Sequence, residues 1–257
     1  MSECLKAFLE TLRSDRRVRG YDEAATKQAI VLPLLHNLGW NTYDIDEVTP
    51  EFSIGGKRVD YSLNISKANM VFLEVKKVSE ELEEHQEQLL DYAFRQGVEL
   101  ATLTNGMTWW FYLPMKKGDW RKRKFYTVDI QQQECDDVAA RFTELLSKDT
   151  VRSGKAVEYA ESIHKGRVMK EAVADTLPKT WNMIIDDPSA DLMDIIAEAT
   201  EKACGYRPDT ADVRQFLGTH QESFTIPEEP SPSETRKPRR QRERTQTFPM
   251  PAEPSPS

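Results

Sequence analysis

The pattern of apolar positions divides the chain into a helical start, a strand-rich middle and a helical end. In residues 2–18 apolar side chains recur every three to four positions, which is the spacing of one helix face. A second helix is predicted from Asp22 to about Leu38, although Pro33 is an irregular position within it. The two apolar stripes are Leu5, Phe8, Leu9 and Leu12 in the first helix and Ala25, Ile30, Leu34 and Leu38 in the second.

The middle of the chain has the patterns of strands. Residues 57–65 alternate between apolar and polar, whereas residues 70–75 form a continuous apolar run that indicates a buried central strand. A helix capped by Ser79 and running from Glu80 to about Gln96 follows this strand. The predicted strands are 47–54, 57–65, 70–75, 98–104, 108–113 and 125–130. This order predicts an α/β fold with a mixed central sheet flanked by helices.

From about Cys135 onward the pattern is helical. The predicted helices are 136–146, 157–177, 178–185, 190–204 and 209–216. Residues 226–257 are polar, charged and rich in proline, and they carry too little apolar surface to offset the entropy of ordering. The sequence therefore predicts three parts, which are a domain at 1–134, a helical appendage at 135–225 and a disordered, basic tail at 226–257.

Composition narrows the class of protein. The chain has 257 residues and a formal net charge of -8, and it contains no apolar run approaching the ~20 residues that span a bilayer. Cys4, Cys135 and Cys204 form neither a disulfide framework nor a zinc pattern, so we expect reduced, mostly packed thiols in the cytoplasm. The negative charge argues against a general nucleic-acid coat protein, but it does not exclude a local basic surface.

Two carboxylates and a lysine lie on neighbouring strands of the middle region. Asp60 belongs to the strand 57–65, and Glu74 and Lys76 lie at the end of the buried strand that follows. The short loop between these strands predicts an antiparallel pair in which the two carboxylates meet, with Lys76 on the same face as Glu74. Two carboxylates bind a hard cation such as Mg²⁺ or Mn²⁺, and the carbonyl oxygen of Val75 is the natural further donor.

Three further residues extend this set. Gln88 and Tyr92 are four positions apart on one helix face, from which they could bond Lys76, water or a DNA phosphate. Glu23, on the second helix, could add a third acidic group. The alternative is that Asp60 and the Glu-x-Lys segment form ordinary surface ion pairs. The apolar run that precedes Glu74 argues against a solvated face.

These residues resemble those of the PD-(D/E)XK nuclease superfamily and, more narrowly, the nuclease domain at the N-terminus of type I restriction enzyme R subunits. The resemblance rests on Asp60, Glu74-Val75-Lys76 and Gln88-x-x-x-Tyr92 in this order, and it covers about residues 20–130. Supporting segments are Asp22–Lys27, Pro33–Trp40, Val48–Phe52 and Leu103–Gly106. Val59 stands before Asp60 instead of proline, a variation common in this superfamily.

The resemblance implies a restriction-endonuclease-like core with a magnesium or manganese site. It makes Asp60 and Glu74 the metal ligands and Lys76 the catalytic lysine. The full catalytic set that it implies is Asp60, Glu74, Lys76, Gln88, Tyr92 and Glu23. The sequence lacks the Gly-x-x-x-x-Gly-Lys-Ser/Thr loop of a motor, so no nucleotide is expected. The expected partners are DNA and either a second copy of the chain or another restriction-system protein.

Positive charge is clustered in three segments that could contact DNA phosphates, namely Arg13–Arg19 and the two segments described next. The first of the latter two joins two predicted strands and would contact phosphates, with Trp120 placed for base stacking; a solvated hairpin tip is the alternative. Its candidate DNA-binding residues are Lys116, Lys117, Trp120, Arg121, Lys122, Arg123 and Lys124. The second segment, Arg236–Arg244 in the tail, could bind nucleic acid, dock a partner or only aid solubility.

The sequence thus predicts a magnesium-dependent deoxyribonuclease of the restriction type that hydrolyses DNA phosphodiester bonds. The alternative is a non-catalytic module that retains the nuclease fold and binds DNA or a partner protein. Lys76 favours the enzyme, because a binding module has no need of a lysine beside two carboxylates.

Overall fold

The computed structural model describes residues 2–54, 56–220 and 223. The chain forms two compact units, Met1–Ala172 and Val173–Ser257, and each is described by itself. The predicted tail, with the basic cluster Arg236–Arg244, lies outside the described residues. None of the helices within the described ranges is long and apolar enough to cross a membrane.

The first unit begins with five helical segments within its described residues, where the sequence predicts two helices. They are α1 (Ser2–Ser14), a 3-10 helix (Arg16–Gly20), α2 (Glu23–Thr26), a π-helical turn (Lys27–Val31) and α3 (Leu32–Asn37). Leu5, Leu9 and Leu12 are buried, which confirms the predicted stripe of the first helix. The π turn ends directly before α3, and Pro33 lies at the start of α3, so the irregular position is accommodated where the π turn changes to an α-helix.

Six strands form one mixed sheet, as the sequence predicts. They are β1 (Val48–Ile54), β2 (Lys57–Ile65), β3 (Ala68–Val75), β4 (Leu100–Thr104), β5 (Thr108–Tyr112) and β6 (Lys124–Asp129). They are hydrogen-bonded in the order of the sequence. All neighbours are antiparallel except β3 and β4, which are parallel and therefore need a crossover.

The crossover helix α4 (Gln86–Gln96) begins later than the sequence predicts. A loop and a 3-10 turn (Glu83–His85) replace the predicted start at Glu80 with its Ser79 cap. The side chain of Asn105 donates to the carbonyl oxygen of Glu80, and Leu82 is buried against the sheet. These tertiary contacts outweigh the local capping signal of the sequence.

Side chains from alternate positions of β3 enter two separate cores. Val71, Leu73 and Val75 join the core that includes residues of α1 and α3. Phe72 joins the other core, which includes Leu89 and other residues of α4. Because successive strand residues point to opposite faces, helices cover both faces of the sheet. The α/β class and the mixed, helix-flanked sheet are thereby confirmed.

The first unit extends beyond residue 134, where the sequence predicts a domain boundary. It includes α6 (Cys135–Leu146), α7 (Lys148–Arg152) and the first part of α8 (Lys155–Asp186), and it runs to Ala172. The short helix α5 (Trp120–Arg123) precedes β6 in the same unit. Phe142 and Leu145 of α6 are fully buried in the core beneath the sheet, so this helix is part of the sheet's own cover and not of an appendage.

The second unit is helical in its described part, as the sequence predicts. It contains the end of α8, α9 (Ala190–Cys204) and α10 (Thr210–Thr219). Its core consists of Ile185, Met193, Ala197, Val213 and Leu217. The sequence predicts a break in α8 at Pro178, and this prediction is wrong because the helix continues through it. The residues on both sides of Pro178 are exposed, so water can solvate the carbonyl oxygen that proline leaves without a donor.

The cysteines differ in part from the expectation. All three are free, and Cys135 is buried as expected. Cys4 and Cys204 are exposed, so the prediction of mostly packed thiols is wrong for both.

Candidate active site

The sheet brings the two predicted metal-binding carboxylates together. The register of β2 and β3 pairs Tyr61 with Leu73, which places Asp60 and Glu74 next to each other on neighbouring strands. One Asp60 carboxylate oxygen, Oδ2, accepts a 2.6 Å hydrogen bond from the backbone amide of Val75. That bond fixes the side chain against β3. For Val75 the structure thus establishes a role for the amide, whereas metal ligation by its carbonyl oxygen stays a prediction.

Lys76 lies beside Glu74, as the sequence predicts. Its Nζ is 2.7 Å from Glu74 Oε1, and only 18% and 17% of the two side chains are exposed. The backbone amide of Lys76 donates to the carbonyl oxygen of Thr104, which extends the pairing of β3 with β4 by one residue. The lysine is therefore positioned by the sheet and not by a loose loop.

The pKa values of this pair shift in the same direction for different reasons. Burial first, and then the negative charge of Asp60, raise the pKa of the Glu74 carboxyl; the hydrogen bond from Lys76 opposes this only in part. For Lys76, burial favours the neutral amine, but the hydrogen bond and charge of Glu74, with the charges of Asp60 and Glu23, raise its pKa overall. Lys76 is thus a cation at neutral pH.

A second lysine, to which the sequence analysis assigned no role, lies at the centre of the site. Lys27 Nζ is 2.5 Å from Asp60 Oδ1, 2.8 Å from Glu23 Oε1 and 3.6 Å from Glu51 Oε1. Burial opposes its charge, but the hydrogen bonds to Asp60 and Glu23 raise its pKa overall. The spacing of four residues between Glu23 and Lys27 in one helix favours the ion pair between these two residues and could have predicted it. Its contact with Asp60 could not be read from spacing.

Glu51 was also missed, and its backbone is unusual. It adopts a left-handed conformation with φ 49° inside β1, where such a value is costly for a residue with a side chain. Its carboxylate faces Lys27 and also accepts from Arg58, at 3.0 Å. Strained residues of this kind cluster at functional sites.

Six charged side chains thus form one assembly, which we call the carboxylate–lysine cluster. Its members are Glu23, Lys27, Glu51, Asp60, Glu74 and Lys76. Four carboxylates face two ammonium groups and, at Glu51, the guanidinium of Arg58, so one negative charge is left without a positive partner. Among the described residues no three acidic, histidine or cysteine side chains form a ready-made metal site. The oxygen donors and the remaining negative charge nevertheless fit a hard divalent cation.

Helix α4 does not bring Gln88 to the cluster. Gln88 is exposed, and within the described ranges its side chain has no hydrogen bond to Lys76, so the expected contact is not formed. Tyr92 is buried instead, with its ring stacked on Phe72 at a centroid distance of 5.2 Å. The buried glutamine of this helix is Gln86, which accepts a 2.7 Å hydrogen bond from the Tyr112 hydroxyl.

The basic segment before β6 is only partly available to a ligand. Lys116 pairs with Glu161, Arg123 bonds the carbonyl oxygen of Gly118, and Lys124 lies 3.8 Å above the centre of the Trp110 ring. Burial lowers the pKa of Lys124, which is consistent with a packing role. The exposed basic side chains are Lys117, Arg121 and Lys122.

Trp120 is less accessible than a base-stacking residue needs to be. It is partly buried against the core on the α4 side of the sheet, and the guanidinium of Arg121 lies 4.8 Å above its ring. The predicted stacking role therefore has less exposed ring surface than the sequence implied.

No family model matches the chain, and no curated protein or solved structure matches it either. The functional argument therefore rests on the geometry of the carboxylate–lysine cluster.

Proposed function

We propose that the protein is a divalent-metal-dependent nuclease that hydrolyses DNA phosphodiester bonds, with a restriction-endonuclease-like core. The observation that carries this proposal is the meeting of Asp60, Glu74 and Lys76 at the end of a buried strand pair. The mixed sheet with helices on both faces is the architecture that the family resemblance implies. The restriction-type role, in defence against foreign DNA, rests on that resemblance alone.

Asp60, Glu74 and Lys76 have different roles in the proposed hydrolysis. Asp60 and Glu74 would hold Mg²⁺ or Mn²⁺ through their carboxylate oxygens. The metal supplies charge neutralisation at the phosphate and a more acidic attacking water. Lys76 is a cation at neutral pH, so it donates hydrogen bonds to the water or phosphate and offsets charge there. Glu74 orients the Lys76 ammonium by their ion pair.

The second candidate is a binding module that retains the fold. One observation favours it: Asp60 and Glu74 each already have a lysine partner in the folded chain. Such a module would bind DNA or a protein partner without hydrolysis.

Supercoiled plasmid incubated with the full chain tests the proposal. We expect nicking with MgCl₂ or MnCl₂, none with EDTA, and none with Lys76→Ala. Lys77→Ala is the matched control, because Lys77 is the next residue but is more exposed and pairs with Glu80 outside the cluster. Retained cleavage in Lys76→Ala, or cleavage that persists in EDTA, would reject the assignment. A gel shift without cleavage would support the binding module.

A further inference from the structure

The position of Lys27 carries a further inference, which rests on the proposed function. Its ammonium lies 2.5 Å from Asp60 Oδ1, the one oxygen of that carboxylate that is not held by the Val75 amide. Because it accepts no backbone hydrogen bond, this oxygen has more lone-pair capacity for a metal ion than Oδ2 has. Lys27 therefore competes with a cation for the same donor atom.

The backbone holds Lys27 firmly in this place. It is the first residue of the π turn, and its carbonyl oxygen accepts from the Leu32 amide. Only 15% of its side chain is exposed, so the ammonium does not extend into solvent. Single π turns inside helices are found frequently at functional sites. The turn aims this one lysine at the sheet while Ile30 and Val31 remain in the core.

We propose that Lys27 is a built-in counter-cation: its ammonium stands beside Asp60 in the metal-free protein, and a divalent cation binds by displacing it. Lys27 is a positioning residue in this scheme. It keeps the carboxylates together without metal and makes metal binding weaker than the donor set alone would allow.

The surrounding carboxylates make displacement feasible. Glu23 and Glu51 already contact the ammonium at 2.8 Å and 3.6 Å, so leaving Asp60 does not strand a buried charge. The ammonium can move toward these two partners while it remains in the cluster. Glu51, whose backbone is left-handed, is thus close to Lys27 while it also pairs with Arg58.

A permanent structural ion pair is the competing explanation, and it predicts the opposite effect on metal binding. If Lys27 only supports the fold, its removal disturbs Asp60 and weakens metal binding. If Lys27 competes with the metal, its removal tightens binding, because the ion no longer displaces a bound charge. Damage to the fold cannot produce tighter binding.

Calorimetric titration of MnCl₂ into the full chain without DNA separates these outcomes. Lys27→Met should bind Mn²⁺ about tenfold or more tightly than the unmodified protein, since one nearby positive charge is lost. Lys27→Arg keeps the charge and should stay within about threefold of the unmodified protein on the same electrostatic reasoning. Thermal unfolding should show that Lys27→Met is less stable without metal and gains more from added Mn²⁺.

Two controls make the result specific. Lys148→Met removes a partly buried pair with Glu47, which lies outside the cluster, and should leave Mn²⁺ affinity unchanged. Asp60→Asn removes the shared ligand and should abolish binding in the presence or absence of Lys27.

The outcomes also separate this inference from the proposed function. If the unmodified protein binds Mn²⁺ through Asp60 but Lys27→Met binds it equally or less tightly, the inference is overturned and the metal site stands. If only Lys27→Met binds Mn²⁺, the inference is supported in its strongest form. If neither protein binds Mn²⁺, or Asp60→Asn binds it normally, both proposals fail.

Discussion

The carboxylate of Asp60 on β2 accepts a 2.6 Å hydrogen bond from the amide of Val75 on β3. This bond joins the two strands beside the last residues of their ladder. It leaves one oxygen of Asp60 for a cation and fixes the side chain next to Glu74. The sheet therefore fixes the geometry of the site, and strands support a catalytic group more rigidly than loops do.

Asp60→Asn removes the charge of this residue but keeps one hydrogen bond. The amide oxygen of asparagine can still accept from Val75, while its NH2 group then faces the Lys27 ammonium, which keeps Glu23 and Glu51 as partners. The fold should therefore be retained with some loss of stability. Cleavage should fall by at least about 100-fold, the scale of losing one preorganised electrostatic group. Plasmid nicking and circular dichroism measure the two effects. Asp60→Ala, which also loses the acceptor, should cost about 1–3 kcal/mol of stability in addition. Full activity of Asp60→Asn would contradict this role.

Glu74→Gln should stabilise the metal-free protein at neutral pH. The pKa of Glu74 is raised in the folded state, chiefly by burial, so its ionisation costs folding free energy. That cost is absent below the pKa of the unfolded chain, near the ordinary glutamate value of 4.5, and is complete above the pKa of the folded protein. The melting temperature of the variant should therefore match that of the unmodified protein at about pH 4 and exceed it by a few degrees at about pH 7.

A matched variant checks that this gain comes from burial. Glu144→Gln removes a carboxylate of a more exposed pair with Arg141 and should show no such pH-dependent gain. Mn²⁺ should raise the melting temperature of the unmodified protein more than that of Glu74→Gln. A variant less stable than the unmodified protein at neutral pH would show that the ion pair with Lys76 outweighs burial.

Gln86 and Gln88 of α4 should have separable effects. Gln86→Ala leaves the buried hydroxyl of Tyr112 without its acceptor and should cost about 1–3 kcal/mol of stability. Gln88→Ala removes an exposed side chain and should leave stability within about 0.5 kcal/mol. If the auxiliary motif of the resembled family operates here, Gln88→Ala still lowers cleavage. Denaturant unfolding measures the effect on stability, and a plasmid assay measures the effect on cleavage. A large stability loss in Gln88→Ala would show that this side chain supports the fold.

The sequence predicted the elements well where local signals agree with packing. The strand 57–65 is reproduced residue for residue as β2, because alternation and the turn that precedes it both act locally. The contact between Lys27 and Asp60 could not be predicted, since it depends on how α2 and the π turn pack against the sheet. Gln88 shows the same limit. Gln88 and Tyr92 both lie in α4, as predicted, but Gln88 is exposed and Gln86 is the glutamine that packs inward, which depends on tertiary contacts.

The exposed basic residues of the segment before β6 should carry its DNA affinity. Replacing Lys117, Arg121 and Lys122 by alanine should weaken DNA binding and reduce the salt dependence by up to ~0.9 per lost phosphate contact. Lys124→Met is the contrasting variant, because its ammonium packs on Trp110; it should leave the salt slope unchanged. Fluorescence anisotropy with a DNA duplex at several salt concentrations measures both. An unchanged slope in the triple variant would exclude this surface from DNA contact.

Gly106→Ala should test how the hairpin supports the π turn that carries Lys27. Gly106 has φ 89°, and an added Cβ would lie 2.8 Å from Ile30 Cδ1 and 2.9 Å from Thr26 Cγ2. Both the backbone strain and the contact with this helix should destabilise the protein, by about 1–3 kcal/mol. Gly166→Ala is the control, because its Cβ meets open space in the middle of α8 and should stabilise by roughly 0.5–1 kcal/mol. Since the clash pushes on the turn that starts at Lys27, Gly106→Ala should also change Mn²⁺ affinity, whereas Gly166→Ala should not. Equal stability of the two variants would show that the hairpin does not constrain the turn.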